Sequence, residues 1–234
     1  MSDIYKQKSI ISVILSIFFP RICYSCGEVG SYLCDFCLNK KITLKRIQDC
    51  HVCKRPLLKN KFLHESCSQK TYLKGVVVAL SYNKFVEHLI AEFKYEFVSD
   101  LKELFSSFIV GRFKSSKLKL KNFVVTYVPL TKSRERWRGY NQSKILAKSF
   151  SKPLGFEFGD LLERVKFNKS QVGLKRVERL KNVENSFVLK SEVDGNNVLI
   201  IDDVMTTGAT LEECAKVLKK NGAKEIFGLV VARG

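Results

Sequence analysis

The stretch from Val198 to Thr210, VLIIDDVMTTGAT, constrains the fold of this chain more than any other segment. Its first four residues, Val198 to Ile201, are all apolar, which predicts a strand buried on both faces as in a parallel sheet. Asp202 and Asp203 follow at the carboxyl end of that strand, where open α/β sheets bind their ligands.

A small hydroxyl-rich loop and a helix come next in the sequence. The loop consists of Thr206, Thr207, Gly208, Ala209 and Thr210. The segment from Leu211 to Asn221 has apolar residues at helical spacing. Strand, acidic pair, loop and helix in this order predict an anion site, because backbone N–H groups and the helix amino end would face a phosphate.

All thirteen positions resemble the phosphoribosyl pyrophosphate (PRPP) motif of type I phosphoribosyltransferases. The resemblance implies that Asp202 and Asp203 are catalytic residues that hold the ribose hydroxyls, with Mg²⁺ bridging these hydroxyls and the pyrophosphate. It also implies that the loop from Thr206 to Thr210 binds the 5′-phosphate. The alternative is an ordinary strand and turn whose aspartates cap the helix, but adjacent carboxylates beside an apolar strand cost desolvation energy unless they bind something.

The cysteines predict a metal-binding segment. Seven of the eight lie between Cys23 and Cys67, and with His64 they form four pairs that are each separated by two residues. This is the spacing at which a tight turn directs two ligands to one tetrahedral zinc ion. The sequential assignment gives two structural zinc sites, one of Cys23, Cys26, Cys34 and Cys37 and the other of Cys50, Cys53, His64 and Cys67.

Three alternatives remain open for this segment: a crossed pairing of the ligands, His51 in place of His64, and disulfides. Disulfides would require an oxidising compartment, and the apolar run from Ile10 to Phe19 has no small-residue cleavage site after it and is too short to span a bilayer. We therefore expect a cytoplasmic protein with a short docking helix that ends at Pro20.

From Tyr72 onward, predicted strands and helices alternate, which indicates a doubly wound parallel sheet. Strands are predicted over Gly75–Tyr82, Phe123–Val128, Val198–Ile201 and Glu225–Ala232, and helices over Val86–Phe97, Leu101–Phe113, the residues around Ile145–Phe150 and Leu211–Asn221. Asp160–Val165 and Asn185–Leu189 are predicted to pair with each other. Arg112–Lys121 has five basic and no acidic residues, which predicts a solvated loop.

Pro129–Ser143 is predicted to be a basic loop next to the phosphate site. Its guanidinium groups suit pyrophosphate, for which Arg134 is the candidate ligand. Arginines interleaved with aromatic rings also suit single-stranded nucleic acid, whose bases stack on such rings. The DNA-binding candidates are Arg136, Trp137, Arg138 and Tyr140, and the alternative is a solvated turn with a buried tryptophan.

The order of these motifs resembles the ComF family of phosphoribosyltransferase-like proteins associated with DNA uptake in natural transformation. The resemblance rests on FFPRICYSCG, the cysteine pairs, VPL followed by RERWRGYNQS, and the terminal PRPP motif. His64 stands where the family usually has a cysteine. The resemblance implies a docking helix over residues 1–21, a double zinc ribbon over 22–71 and a phosphoribosyltransferase-like domain over 72–234, with a DNA-translocating helicase as a partner. It also implies that Lys166–Asn182 forms a lid over the site, for which the alternative is a solvated loop.

Two functions follow. The first is a PRPP-binding competence protein that handles single-stranded DNA, which the formal net charge of +18 favours because such a charge attracts polyanions. A lysine-rich proteome would also explain this charge. The second is an active phosphoribosyltransferase that acts on an unidentified base or nucleotide, with zinc serving only a structural purpose.

Overall fold

The computed structural model describes residues 20–58, 60–95, 99–118, 123–165, 183–193 and 195–234. The chain divides into two compact units, Met1–Thr43 and Leu44–Gly234. The predicted docking helix over residues 1–21 lies outside the described residues except for its last two positions. In the described ranges, no helix is both long and apolar enough to cross a membrane.

The smaller unit is built around its cysteines. An antiparallel bridge joins Ile22 to Val29 and closes the turn that carries the first cysteine pair. Helix α1, Asp35–Lys41, follows directly after Cys34 and carries Cys37 on its buried side. In residues 20–43, the described part of this unit, the buried apolar side chains are Cys23 and Cys37, so we infer that metal binding would supply much of its folding free energy.

The larger unit contains a five-stranded parallel sheet in the order β1-β7-β6-β2-β3. The strands are β1 Gly75–Ser81, β2 Phe123–Tyr127, β3 Glu157–Phe158, β6 Asn197–Met205 and β7 Ile226–Arg233. A separate antiparallel pair is formed by β4, Leu162–Arg164, and β5, Phe187–Leu189. The predicted parallel sheet and the predicted pairing of β4 with β5 are both confirmed.

Helices cover both faces of the sheet. They are α2 Lys84–Tyr95, α3 Ser99–Ser115, α4 Lys132–Arg138, α5 Gln142–Leu154 and α6 Ala209–Lys220. α6 and the β4–β5 pair pack on one set of alternate strand residues, which includes Val76, Val198 and Ile200. α3 contacts β1 and β7, and α5 contacts β2 and β6. This alternation of buried faces is why the strands have almost no polar residues.

Three local predictions were wrong, and one strand was missed. Pro129–Ser143 is not a loop, because α4 begins after Thr131, whose hydroxyl accepts the backbone N–H of Arg134, and ends at the left-handed Gly139. The solvated loop predicted from Arg112 begins later, since α3 continues to Ser115. β6 continues past the two aspartates to Met205, because β7 pairs with it along its whole length. The short edge strand β3 was not predicted.

The second cysteine group belongs to the larger compact unit, whereas the sequence predicts a boundary near residue 71. Hydrogen bonds to β1 account for this. The Gln48 side chain accepts the backbone N–H of Val78 at 2.7 Å and donates to the Val78 carbonyl at 3.1 Å. The backbone N–H of Lys45 also donates to the Ala79 carbonyl at 2.9 Å. The segment before Cys50 therefore lies along the edge of the sheet.

Candidate functional site

The first group of cysteines brings four sulfur atoms together. The sulfurs of Cys23, Cys26, Cys34 and Cys37 all lie within 4.8 Å of one another. Cys26 and Cys34 are 3.6 Å apart, which is far longer than a disulfide and close to the separation of two sulfurs that each lie about 2.3 Å from one tetrahedral zinc ion. Gly27 has φ +78°, in the left-handed region that glycine favours, and its N–H donates to the Cys23 carbonyl at 2.9 Å. This group fits a metal ion and is consistent with zinc.

The second group has the same geometry with one imidazole. The ligand atoms of Cys50, Cys53, His64 and Cys67 lie within 4.8 Å of one another, and Cys53 Sγ is 3.3 Å from His64 Nδ1. His51, the alternative donor, is directed elsewhere, because its Nε2 lies 2.9 Å from Thr71 Oγ1 and burial lowers its pKa to about 4. The structure thus groups the ligands in sequential order. All eight described cysteines are free thiols.

The anion loop joins β6 to α6 as predicted. Gly208 precedes the first turn of α6 with φ +87°, a backbone conformation that a residue with a side chain rarely adopts. The hydroxyl of Thr207 accepts the N–H of Ala209 at 3.3 Å. The loop lines an open cleft of about 730 Å³ at the carboxyl end of the sheet. The first turn of α6 therefore borders this cleft, where the amino end of the helix favours an anion.

The two aspartates lie on the floor of the same cleft but have different partners. Asp202 accepts hydrogen bonds from the Ser143 hydroxyl at 2.8 Å and from the N–H of Asp203 at 2.9 Å. Asp203 is 8% exposed, accepts the N–H of Val204 at 2.6 Å and forms an ion pair with Lys94 at 3.2 Å. Burial, together with the charge of Asp203, raises the pKa of Asp202 to about 7. The pair thus stays only partly neutralised by protein groups.

The residues of α4 and its C-terminal turn divide between the cleft and the surface. Arg134, Trp137 and Arg138 line the cleft, whereas Arg136 is exposed and does not. Trp137 is 74% exposed, so its ring is open to a stacking partner. Tyr140 points inward: its hydroxyl donates to the Phe93 carbonyl, its ring lies 6.3 Å from the Phe93 ring, and burial raises its pKa.

The sequence did not predict several of the residues that line the cleft. Four of them are Lys94 on α2, Gln142 and Ser143 at the start of α5, and Arg164 at the end of β4. Ser143 could have been predicted from the sequence, because it follows the basic stretch and lies in the first turn of a helix whose amino end would face the site. The other three carry no local signal. Lys94 lies on an amphipathic helix like any surface lysine, and Arg164 ends a three-residue strand.

The predicted lid, Lys166–Asn182, lies outside the described residues. Described residues stand on both sides of it: Arg164 at the end of β4 and Val183 before β5 both line the cleft, and β4 pairs antiparallel with β5. The lid itself stays a prediction.

Comparison with known families assigns the class of this domain. The Phosphoribosyl transferase domain family matches residues 138–233, a range that contains α5, the acid pair, the anion loop and α6. The parallel sheet, the cleft at its carboxyl edge and this match define a type I phosphoribosyltransferase-like fold.

Sequence similarity to individual proteins indicates which phosphoribosyltransferase-like proteins this chain resembles. Competence protein ComFC of Bacillus subtilis (strain 168) is 28% identical over 206 residues, which cover 86% of this chain and 79% of that protein. The DNA utilization protein YhgH of Escherichia coli (strain K12) is 29% identical over 219 residues, covering 88% of this chain and 94% of that protein. Competence protein F of Haemophilus influenzae is 38% identical over 117 residues, covering 48% of this chain and 51% of that protein. The chain is thus similar over most of its length to proteins named for competence and for DNA utilization, and the resemblance to the ComF family that its motif order predicted is confirmed.

Proposed function

We propose that this chain is a competence protein that binds PRPP with Mg²⁺ in the cleft and handles single-stranded DNA. One observation carries the PRPP proposal: the acid pair Asp202 and Asp203 and the loop from Thr206 to Thr210 line one cleft at the carboxyl end of the central strand. Relatives named for competence and for DNA utilization support the cellular role.

Each group of the cleft suits one part of PRPP. The backbone N–H groups and hydroxyls of Thr206–Thr210 would bind the 5′-phosphate. The carboxylates of Asp202 and Asp203 would accept hydrogen bonds from the ribose hydroxyls, since each has more acceptor positions than the two donors that the described residues supply to it. Arg134 would bind the pyrophosphate, whose oxygens match its forked donors. Mg²⁺, when bound with the ligand, would neutralise part of the charge on the pyrophosphate.

The same cleft could support phosphoribosyl transfer. In that reaction the bond from the anomeric carbon to pyrophosphate breaks, pyrophosphate leaves with the electron pair, and an acceptor atom forms the new bond. Positive charge on the sugar and negative charge on the leaving group would both need fixed counter-charges, which the aspartates and Arg134 provide. Release of pyrophosphate in the presence of an acceptor would support the proposal that this chain is an enzyme. The residues of the cleft do not identify that acceptor.

Thermal unfolding of the full chain tests the PRPP proposal. PRPP with Mg²⁺ should raise the unfolding temperature, because a ligand that binds only the folded state stabilises it. Asp202→Asn and Asp203→Asn should each lose most of that increase. Glu157→Gln is the matched control, since this exposed acid on β3 does not line the cleft and its variant should keep the full increase. Wild-type protein that gains no stability from PRPP would contradict the proposal.

The proposal that this chain binds single-stranded DNA depends on its net positive charge and on the exposed indole ring of Trp137. The net charge of +18 favours a polyanion, and Trp137 presents a largely exposed indole at the cleft with arginines on the same helix. A DNA-translocating helicase as partner, implied by the family resemblance, belongs to the same proposal. We place this activity in the cytoplasm, because thiolate ligands for metal persist in a reducing compartment.

A further inference from the structure

Arg164 is a buried cation in the wall of the cleft. It is 8% exposed, although it is the last residue of β4 and only Val165 separates it from the predicted lid. Its guanidinium lies 5.3 Å from the centre of the Phe187 ring on β5, and this contact fixes its position. The side chain nevertheless lines the same cleft as Asp202 and Arg134.

The surroundings of Arg164 do not neutralise it. Its Nε has no hydrogen-bond partner, and among the described residues no carboxylate forms an ion pair with it. Burial lowers its pKa, and the like charge of Arg134 lowers it further, whereas the charge of Asp202 raises it. A buried guanidinium that shares a cleft with a second guanidinium costs free energy unless an anion binds to them. The arrangement is therefore typical of a ligand site rather than of a structural ion pair.

A second buried donor lines the same cleft. Gln142, the first residue of α5, is 1% exposed, and its Nε2 has no hydrogen-bond partner in the described part of the chain. Buried amide groups are nearly always hydrogen-bonded, so an unpaired one that lines a cleft indicates a missing acceptor. Arg164 and Gln142 both supply donors, which indicates an anion.

We propose that Arg164 binds the pyrophosphoryl group of the ligand together with Arg134, and that Gln142 supplies a further hydrogen bond. This inference rests on the proposed function, because it assigns residues to the same ligand. The 5′-phosphate already has the backbone cradle of Thr206–Thr210, whereas the pyrophosphoryl group carries more charge and matches two guanidinium forks.

Three ligands separate this proposal from the proposed function. Affinities for PRPP with Mg²⁺, inorganic pyrophosphate with Mg²⁺, and ribose 5-phosphate are measured for the full chain by calorimetry. Arg164→Gln should weaken binding of PRPP and pyrophosphate by roughly 10- to 100-fold, as expected when a hydrogen bond to a charged group is lost. Affinity for ribose 5-phosphate should stay unchanged. Gln142→Leu should show a smaller loss with the same pattern.

The control is Arg112→Gln. Arg112 also has a buried Nε without a partner, but it lies on α3 and does not line the cleft, so its variant should bind all three ligands like wild type. Without ligand, Arg164→Gln should unfold at the wild-type temperature or above, because it removes an unneutralised buried charge. Arg164→Lys keeps the charge without the fork and should bind PRPP with intermediate affinity, which provides a test if the glutamine variant does not fold.

The outcomes are distinct. Wild-type affinity of Arg164→Gln for PRPP and pyrophosphate, or an equal loss for all three ligands, overturns the role of Arg164 and leaves the proposed function intact. A lower unfolding temperature with unchanged affinity assigns Arg164 to structure and also overturns it. Wild-type protein that binds neither PRPP nor pyrophosphate overturns both proposals together.

Discussion

The cleft places residues of opposite charge side by side without pairing all of them. Among the described residues, Asp203 has Lys94 as its ion-pair partner, whereas Asp202 accepts hydrogen bonds from a hydroxyl and a backbone N–H. Arg134 and Arg164 line the same cleft, and no carboxylate in the described part of the chain forms an ion pair with either of them. Such incomplete pairing is costly in the free protein and favours a ligand that supplies both hydroxyl donors and anionic acceptors.

The raised pKa of Asp202 makes the stability of the free protein depend on pH. The folded protein binds a proton at Asp202 up to about pH 7, whereas the unfolded chain releases this proton near the ordinary aspartate pKa of 3.8. This contribution to stability is therefore present at low pH and is lost as the pH rises through about 7. Asp202→Asn removes the ionisation, so it should raise the unfolding temperature relative to wild type more at about pH 8 than at about pH 5.

Taking the difference between the two proteins at each pH removes the effect of the other ionisable groups. Thermal unfolding without ligand across this range gives the comparison. An equal difference at both ends of the range would show that Asp202 ionises normally in the folded protein.

The two cysteine groups use the same kind of turn to bring their first two ligands together. In each, a turn of the same kind presents the first pair: the N–H of Gly27 donates to the Cys23 carbonyl, and the N–H of Lys54 donates to the Cys50 carbonyl, both at 2.9 Å. Lys54 adopts a left-handed conformation, φ +67°, without being glycine. The second group is further supported by the sheet, because the Arg233 guanidinium lies 3.4 Å from the Cys50 and His51 carbonyl oxygens.

Metal content tests the assignment of the second group. Purified protein should contain two zinc ions per chain, one for each group of four ligands. His64→Ala should lose one ion, whereas His64→Cys should keep both because a thiolate is an equally good ligand. His51→Ala is the matched control and should keep both ions even if it is less stable, since His51 bonds to Thr71. Loss of zinc in His51→Ala with retention in His64→Ala would contradict this assignment.

At the scale of the larger unit, hydrogen bonds connect the second cysteine group to the helix that follows the anion loop. Glu212, in the first turn of α6, accepts the Thr71 hydroxyl at 2.6 Å and the Tyr72 N–H at 2.7 Å. Thr71 is also the partner of His51. One chain of hydrogen bonds thus runs from the cysteine group to the helix that forms the anion site, so both belong to one folded body.

Net charge is a property of the whole molecule, and it predicts how DNA binding depends on salt. Affinity for a single-stranded oligonucleotide should fall steeply between about 50 and about 200 mM salt, because each neutralised phosphate releases a counterion. Trp137→Ala should weaken binding at fixed salt by about 1–3 kcal/mol, the usual contribution of a stacked base. Fluorescence anisotropy measures both effects.

Tyr72→Ala is the control for Trp137, since Tyr72 is also exposed, at 43%, but does not line the cleft. It should bind the oligonucleotide like wild type. Equal affinities of the Trp137 and Tyr72 variants would remove Trp137 from the interface, and affinity that does not change with salt would contradict the DNA proposal itself.

Sequence by itself determined the features that depend on neighbouring residues along the chain. The apolar run Val198–Ile201, the acid pair and the loop after it predicted β6, the anion loop and α6, because each is a local pattern. The cysteine spacing predicted two groups of four ligands for the same reason. Net charge and composition required no structure at all.

Only the tertiary structure decided which polar groups lose their contact with water. Arg164 and Lys94 look like surface residues in the sequence. The tertiary structure instead places Arg164 in the cleft wall, where β4 pairs with β5 and β5 packs on α6, and pairs Lys94 on α2 with Asp203 on β6. Tyr140 likewise turns inward to Phe93 although its neighbour Trp137 stays exposed. Burial, and with it the energy of a charge or a hydrogen bond, depends on residues that are distant along the chain, and no local pattern encodes it.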